Sequence, residues 1–335
     1  MSISFHERYF SYNRIILLAV GLWPYQQSKL VGFQTALFLS ILTSFVVFLF
    51  SRLSFADYSF EFNIQLLCMS TYYTFLIIKH LSFWINIEPI RYLLEQFQYI
   101  YKTLKNSKEI AIYDKYAIIA KRITIGLTTS AVGGVSFLAT GTMMLSCLKH
   151  ICGILRIASY RFDRAIPATL QSITLKNETI IYKELIYAVD IHRKATECAI
   201  FFMNNIGRSL FVITMITVFC MSLNLYGIFQ VKSSLQEIEK TMGHLLFVIF
   251  LFIYMFAGNY AGQEITDCNN HIFLTVYNAP WYLAPLQIQK LTLFLLQRSN
   301  KAFTLSIGGL FTLSIESCAS LLSASISYFT VMLSF

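Results

Sequence analysis

The sequence predicts an all-α, polytopic membrane protein, and three observations carry that prediction. Of its 335 residues, 56% are hydrophobic and 13% charged. A soluble chain carries about 25% charged residues, so the polar side chains needed to cover a water-facing surface are missing. The apolar residues gather into six segments, and about 20 such residues suffice to cross a bilayer. Lys and Arg lie between these segments, where they set orientation. The formal charge of +9 therefore does not point to nucleic acid.

Residues 15–23 are apolar and follow Arg8 and Arg14 like a signal core, but Pro24 and two glutamines stand where a small-residue cleavage site would be. The expectation is an interfacial helix in a cytoplasmic N-terminal region, residues 1–30. Residues 31–50 make the first span. The second begins near Asn63 and runs to Ile78, with Lys79 and His80 placed to snorkel before Trp84. The third apolar region is 123–148, the fourth and fifth are 209–229 and 245–260, and 303–333 is a long sixth. One membrane domain, 1–335, accounts for them, with 303–335 as its last helix. Cys68, Cys147, Cys152, Cys198, Cys220, Cys268 and Cys318 lie mostly within or beside apolar segments without CxxC spacing. They read as small core residues rather than as a zinc or redox centre.

Loop charges orient the chain. Arg8, Arg14 and Lys29 outweigh Glu7 before the first span, while Arg52, Asp57 and Glu61 follow it, which puts the N-terminus in the cytoplasm. Residues 87–122 and 149–208 read as two further basic cytoplasmic loops. The sequon at Asn177 would then stay unglycosylated. A single crossing by 123–148 contradicts that placement, and two crossings need about 40 residues. Gly133 and Gly134 suit a tight bend. Either the segment dips in and returns, or part of a pair of spans is missing.

HExxH, GxSxG and the phosphate-binding glycine loop are absent, so no enzyme is indicated, and no cofactor. His192 and Glu197 are spaced i, i+5 and do not share a face; Glu264, Cys268 and His271 do, but read as polar solvation rather than as zinc ligands. In the last segment, Glu316, Ser320, Ala324, Ser327, Val331 and Ser334 fall on a stripe about 80° wide. Two readings stand: close helix packing through small residues, or a water-facing wall with a dry constriction at the bulkier Val331. Glu316 is either a surface carboxylate below the bilayer or a cation-attracting group in a vestibule.

Several stretches resemble the insect odorant receptors: "NRIILLAVGLWPYQ", "KHLSFWIN", "LRIASYRFDRAI" and above all the run from "AGNYAGQEITDCNNHIFLTVYNAPWYLAPLQIQK" to the end. The resemblance implies seven spans, an intracellular N-terminus, and assembly with a shared co-receptor into a tetrameric cation channel opened by a small volatile apolar ligand, in a plasma membrane whose lipid contacts the spans. It implies that Val331 aligns with a hydrophobic gate and Ser334 with the polar position outside it. The helix after Pro280 and Pro285 would be the first half of a split seventh span within a cytoplasmic anchor, residues 261–302, with Trp281 and Tyr282 either in that joint or as interfacial anchors. Against the family pattern, residues 120–125 read as the start of the third span and 137–157 as the end of the fourth, with the outer parts between them missing. Met69, Tyr72, Phe137, Met143 and Phe247 are the aromatic and sulfur-bearing candidates for the ligand pocket. The alternative to a working receptor is a truncated, non-responsive paralogue or an assembly-only membrane subunit.

Overall fold

The computed structural model describes residues 5–26, 28–54, 60–104, 106–129, 135–165, 175–229, 235–299 and 303–334. Two short helices, α1 (Phe5–Tyr9) and α2 (Ser11–Ala19), precede α3 (Lys29–Ser54) and α4 (Phe60–Ile85). Then come α5 (Ile87–Thr103), α6 (Ser107–Thr129), α7 (Val135–Ala165), α8 (Leu175–Phe229), α9 (Leu235–Asn278), α10 (Leu286–Ser299) and α11 (Ile315–Leu333). Among the described residues five helices are long and apolar enough to cross a membrane, and the chain is a multi-pass membrane protein. At about 1.5 Å per residue, the 55 residues of α8 extend roughly 80 Å. That is more than twice a hydrocarbon core of about 30 Å, so much of α8 stands outside the bilayer.

The two ends of the bundle are built differently. At one end α1, α2, α5 and α10 join the adjoining parts of α6 to α9 around one continuous core. The spacing of Ile90, Leu93, Leu94 and Phe97 on α5 is i, i+3, i+4, i+7, and all four are fully buried, as an amphipathic helix laid on a protein core requires. The basic stretches 87–122 and 149–208 are thus mostly packed helix rather than loop. At the other end the described residues form three small clusters, centred on Phe75 and Leu76, on Met255 and Leu321, and on Met221 and Leu251. There α3 leaves Phe33, Leu37, Phe45 and Phe48 exposed, which is stable only against lipid. In contrast, α7 is enclosed by protein: 89% of its most apolar stretch is buried, against 11% for α3.

Residues 123–129 and 135–148 belong to the facing ends of α6 and α7, which run antiparallel. Arg161 donates to both oxygens of Glu109 at 2.8 and 3.0 Å, and Arg156 to Tyr116 Oη at 3.2 Å. Further along, buried Asn13 of α2 donates to Thr142 at 3.3 Å and accepts from Thr124 and Ser146 at 3.4 and 3.5 Å. Gly133 and Gly134, expected at a tight bend, lie outside the described residues.

The predicted last helix does not begin at residue 303. Ser306–Ile307 pairs antiparallel with Phe311–Thr312. Between them Gly308 and Gly309 have φ of +59° and +73°, and Leu310 N–H donates to Ile307 O at 3.2 Å. Positive φ at both residues is the left-handed backbone that glycine adopts without a Cβ penalty, and it closes a three-residue loop between the paired positions Ile307 and Phe311. Ser314 then caps α11, accepting from Ser317 N–H at 3.1 Å. Gly262 of α9 lets the hairpin's exit approach: a Cβ there would stand 2.1 Å from Leu313 Cβ.

The corner before α10 follows the prolines. A 3-10 turn at Trp281–Leu283 lies between Pro280 and Pro285, and Gln289 donates to the carbonyls of Tyr282 and Ala284 at 2.9 and 2.7 Å. The turn's otherwise orphaned acceptors are thereby satisfied.

Candidate functional site

At the thinly packed end, α4, α8 and α9 enclose a cleft of about 420 Å³ lined by Cys68, Met69, Tyr72, Asn224, Gly243, His244 and Phe247. Its walls are largely aromatic and sulfur-bearing, and its volume suits a small organic molecule. Tyr72 and Phe247 meet edge to face, 4.9 Å apart at 89°, a stable aromatic geometry. Polar character comes from two helices: His244 Nδ1 lies 2.9 Å from Asn224 Oδ1, and Asn224 Nδ2 donates to Cys220 O at 2.7 Å.

The second feature is the bare face of α11. Cys318, Leu321, Ser325 and Phe329 are buried against α8 and α9. At 100° per residue these lie about 150° from the centre of the stripe of Glu316, Ser320, Ala324, Ser327, Val331 and Ser334. Within the stripe Ala324 is half-buried and the others are exposed. Ser320, Ser327 and Ser334 donate to the carbonyls of Glu316, Ser323 and Val331 at 3.1, 2.9 and 2.7 Å. Each hydroxyl hydrogen is used by the helix itself, so the oxygen lone pairs turn outward. The face offers acceptors, to which water and cations bind and anions do not.

Helix α8 stands between the two features. Ser222 donates to Ser325 O at 2.9 Å and the Phe229 ring lies 4.9 Å from that of Phe329, so one face of α8 holds α11. Asn224, about 200° around from Ser222, lines the cleft on the opposite face.

Of the residues expected at a pocket, Met69, Tyr72 and Phe247 come together in this cleft. Met143 does not: it is fully buried in the large core, because α7 is enclosed by protein. The side chain of Phe137 lies outside the described residues. Sequence reasoning missed Asn224 and His244, whose signal was polarity inside apolar runs. Lys79 does not snorkel but is buried with its amine on Tyr254 Oη, across from Gly141.

Residues considered as metal ligands have other partners. Glu264 pairs with Lys149; His271 Nδ1 lies 2.8 Å from Ser159 Oγ; His192 Nε2 lies 3.0 Å from Asn269 Oδ1. Among the described residues no cluster of three or more His, Cys, Asp or Glu could hold a metal ion. The α7–α9 contacts form a polar seam between two helices.

A family model described as 7tm Odorant receptor matches residues 122–326. Odorant receptor 22c of Drosophila melanogaster is 26% identical over 203 residues, 58% of this chain and 48% of that protein. Odorant receptor coreceptor of Ooceraea biroi is 23% identical over 161 residues, 48% of this chain and 33% of that protein. The chain thus spans about half the length of the first of these curated relatives, and less of the second. The insect olfactory receptor OR5 from Machilis hrabei, in its structure with eugenol, superposes with a TM-score of 0.80 over 98% of both chains at 12% identity, so the two share a fold.

Proposed function

Starting from the fact that the chain belongs to the 7tm odorant receptor family, we propose that it is an odorant receptor subunit, forming an odorant-gated cation channel with the olfactory co-receptor in the plasma membrane. The N-terminus is cytoplasmic, on the strength of the basic residues gathered at the densely packed end. The cleft at the other end takes a small volatile apolar ligand, and the bare face of α11 lines the pore, with Val331 as its dry constriction.

The observation that carries this reading is α11. A membrane helix with one face packed and an opposite face of small residues and outward hydroxyl oxygens needs water or a symmetry-related partner there, not lipid tails. Four such faces around an axis would line a path for cations. Helix α8 supplies the link, touching the cleft with Asn224 and α11 with Ser222. A ligand opens the pore only to the extent that it binds the cleft better in the open arrangement.

The test is expression with an odorant receptor coreceptor in a cell lacking other receptors. Volatile-evoked cation current that exceeds the coreceptor alone, and that changes with Tyr72→Ala or Phe247→Ala, supports the reading. A complex that reaches the surface and ignores a broad volatile panel would instead identify an assembly-only subunit.

A further inference from the structure

Resting on the reading of the cleft as the ligand site, we infer that it selects ligands carrying a hydroxyl donor, an alcohol or a phenol, received by Nε2 of His244. Asn224 fixes the tautomer of His244. Its amide nitrogen faces Cys220 O at 2.7 Å; a carbonyl only accepts, so that atom must be the NH2 group. The other atom, 2.9 Å from His244 Nδ1, is then the amide oxygen, which only accepts in turn. His244 must therefore carry its proton on Nδ1, and the neutral ring leaves Nε2 as a lone-pair acceptor.

The ring's setting keeps that acceptor open. A Cβ on Gly227 would stand 3.1, 3.1 and 3.2 Å from Cε1, Nε2 and Cδ2 of His244. Three near-equal distances put the glycine over the face of the imidazole, away from the plane in which the Nε2 lone pair projects. The ring is half-buried and lines the cleft. The remaining wall is Cys68, Met69, Tyr72, Gly243 and Phe247, which binds by shape and dispersion apart from the Tyr72 hydroxyl. That group donates or accepts with either kind of ligand and so does not discriminate between them as Nε2 does. An apolar cleft with a fixed acceptor favours a ligand that brings a donor. A ligand bringing only acceptors leaves the nitrogen unpaired and meets it lone pair to lone pair.

The experiment uses the full chain expressed with an odorant receptor coreceptor. Its probes are linear, branched and monocyclic alcohols and phenols of about six to ten carbons, each paired with its own O-methyl ether. The ether keeps shape and apolar area but removes the donor. The expected result is that active pairs favour the hydroxyl compound about ten-fold in half-maximal concentration, the scale of one hydrogen bond. His244→Phe should abolish that preference while retaining responses to the ethers, which also reports that the variant folds. Asn224→Leu, which frees the ring's tautomer, should reduce the preference partway.

Ethers as effective as their alcohols, responses to ethers with none to hydroxyl compounds, or an undiminished preference in His244→Phe would overturn the inference. If neither variant reaches the surface, the ranking of pairs in the unaltered chain decides. Failure of the underlying reading looks different: Phe247→Ala would then leave every response unchanged.

Discussion

His150 and His244 sit at opposite ends of the molecule in opposite settings. His150 is closed in by aromatic rings, with Phe10 at 4.6 Å and Phe97 at 5.5 Å, both stacked, and Tyr113 at 5.2 Å. Both of its nitrogens are buried without a hydrogen-bond partner. His244 has one nitrogen tied to a neighbouring helix and its ring on the wall of a cleft. The first end spends its aromatic residues on a continuous core, and the second leaves them around a space. Rigidity belongs where many helices converge; ligand-sized room and motion belong where a few small clusters hold the helices together.

The largest expected effect that could break this comparison is a truncation in the dense end. Phe97→Ala removes a fully buried ring and should cost about 3–5 kcal/mol. Leu42→Ala, in a small cluster of the other end, should cost about 2 kcal/mol. Thermal unfolding of the purified protein in detergent ranks the two, and equal costs would mean that the ends do not differ in packing.

Arg161→Met comes next. It leaves Glu109, 6% exposed, without the arginine and should cost about 3 kcal/mol. The double variant Arg161→Met with Glu109→Leu should recover most of this, because the orphaned charge is gone. No recovery would show that the pair does more than join α6 to α7.

Two glycines of α9 give a finer contrast. Gly262→Ala drives a Cβ into Leu313 and should cost about 1–3 kcal/mol while displacing the start of α11. Gly243→Ala meets nothing within 4 Å, so stability should hold or rise by up to about 1 kcal/mol. Yet Gly243 lines the cleft, and its volatile responses should shift. Responses unchanged in Gly243→Ala would remove that residue from the ligand's surroundings.

What the sequence revealed follows from how local each signal is. The span of α3 was legible because lipid requires an unbroken apolar run, and the break before α10 because Pro280 and Pro285 cannot continue a helix. The charges of 87–122 and 149–208 marked a side of the membrane but hid the packed helices within, although the spacing of Ile90, Leu93, Leu94 and Phe97 was there to be read. The hairpin was missed because Gly308-Gly309 stands inside an apolar stretch that resembles a span. Periodicity separated a polar stripe on α11 from its opposite face, but only tertiary contacts show which face packs. The pairing of Asn224 with His244, and of Lys79 with Tyr254, joins different helices and leaves no local trace beyond a polar residue in an apolar run.

Whether the bare face of α11 meets the permeating ions is decided by one substitution at Val331. Val331 is 54% exposed and is the bulky apolar residue at the end of a stripe otherwise made of small and acidic side chains. A hydroxyl there would wet the constriction. Basal cation current of the complex, at matched surface expression, should rise several-fold in Val331→Ser and stay near the unaltered level in Met332→Ser, which alters the packed side of the helix. An unchanged basal current and unchanged ion selectivity in Val331→Ser would contradict the account, placing the pore elsewhere and leaving the stripe as a surface for helix packing.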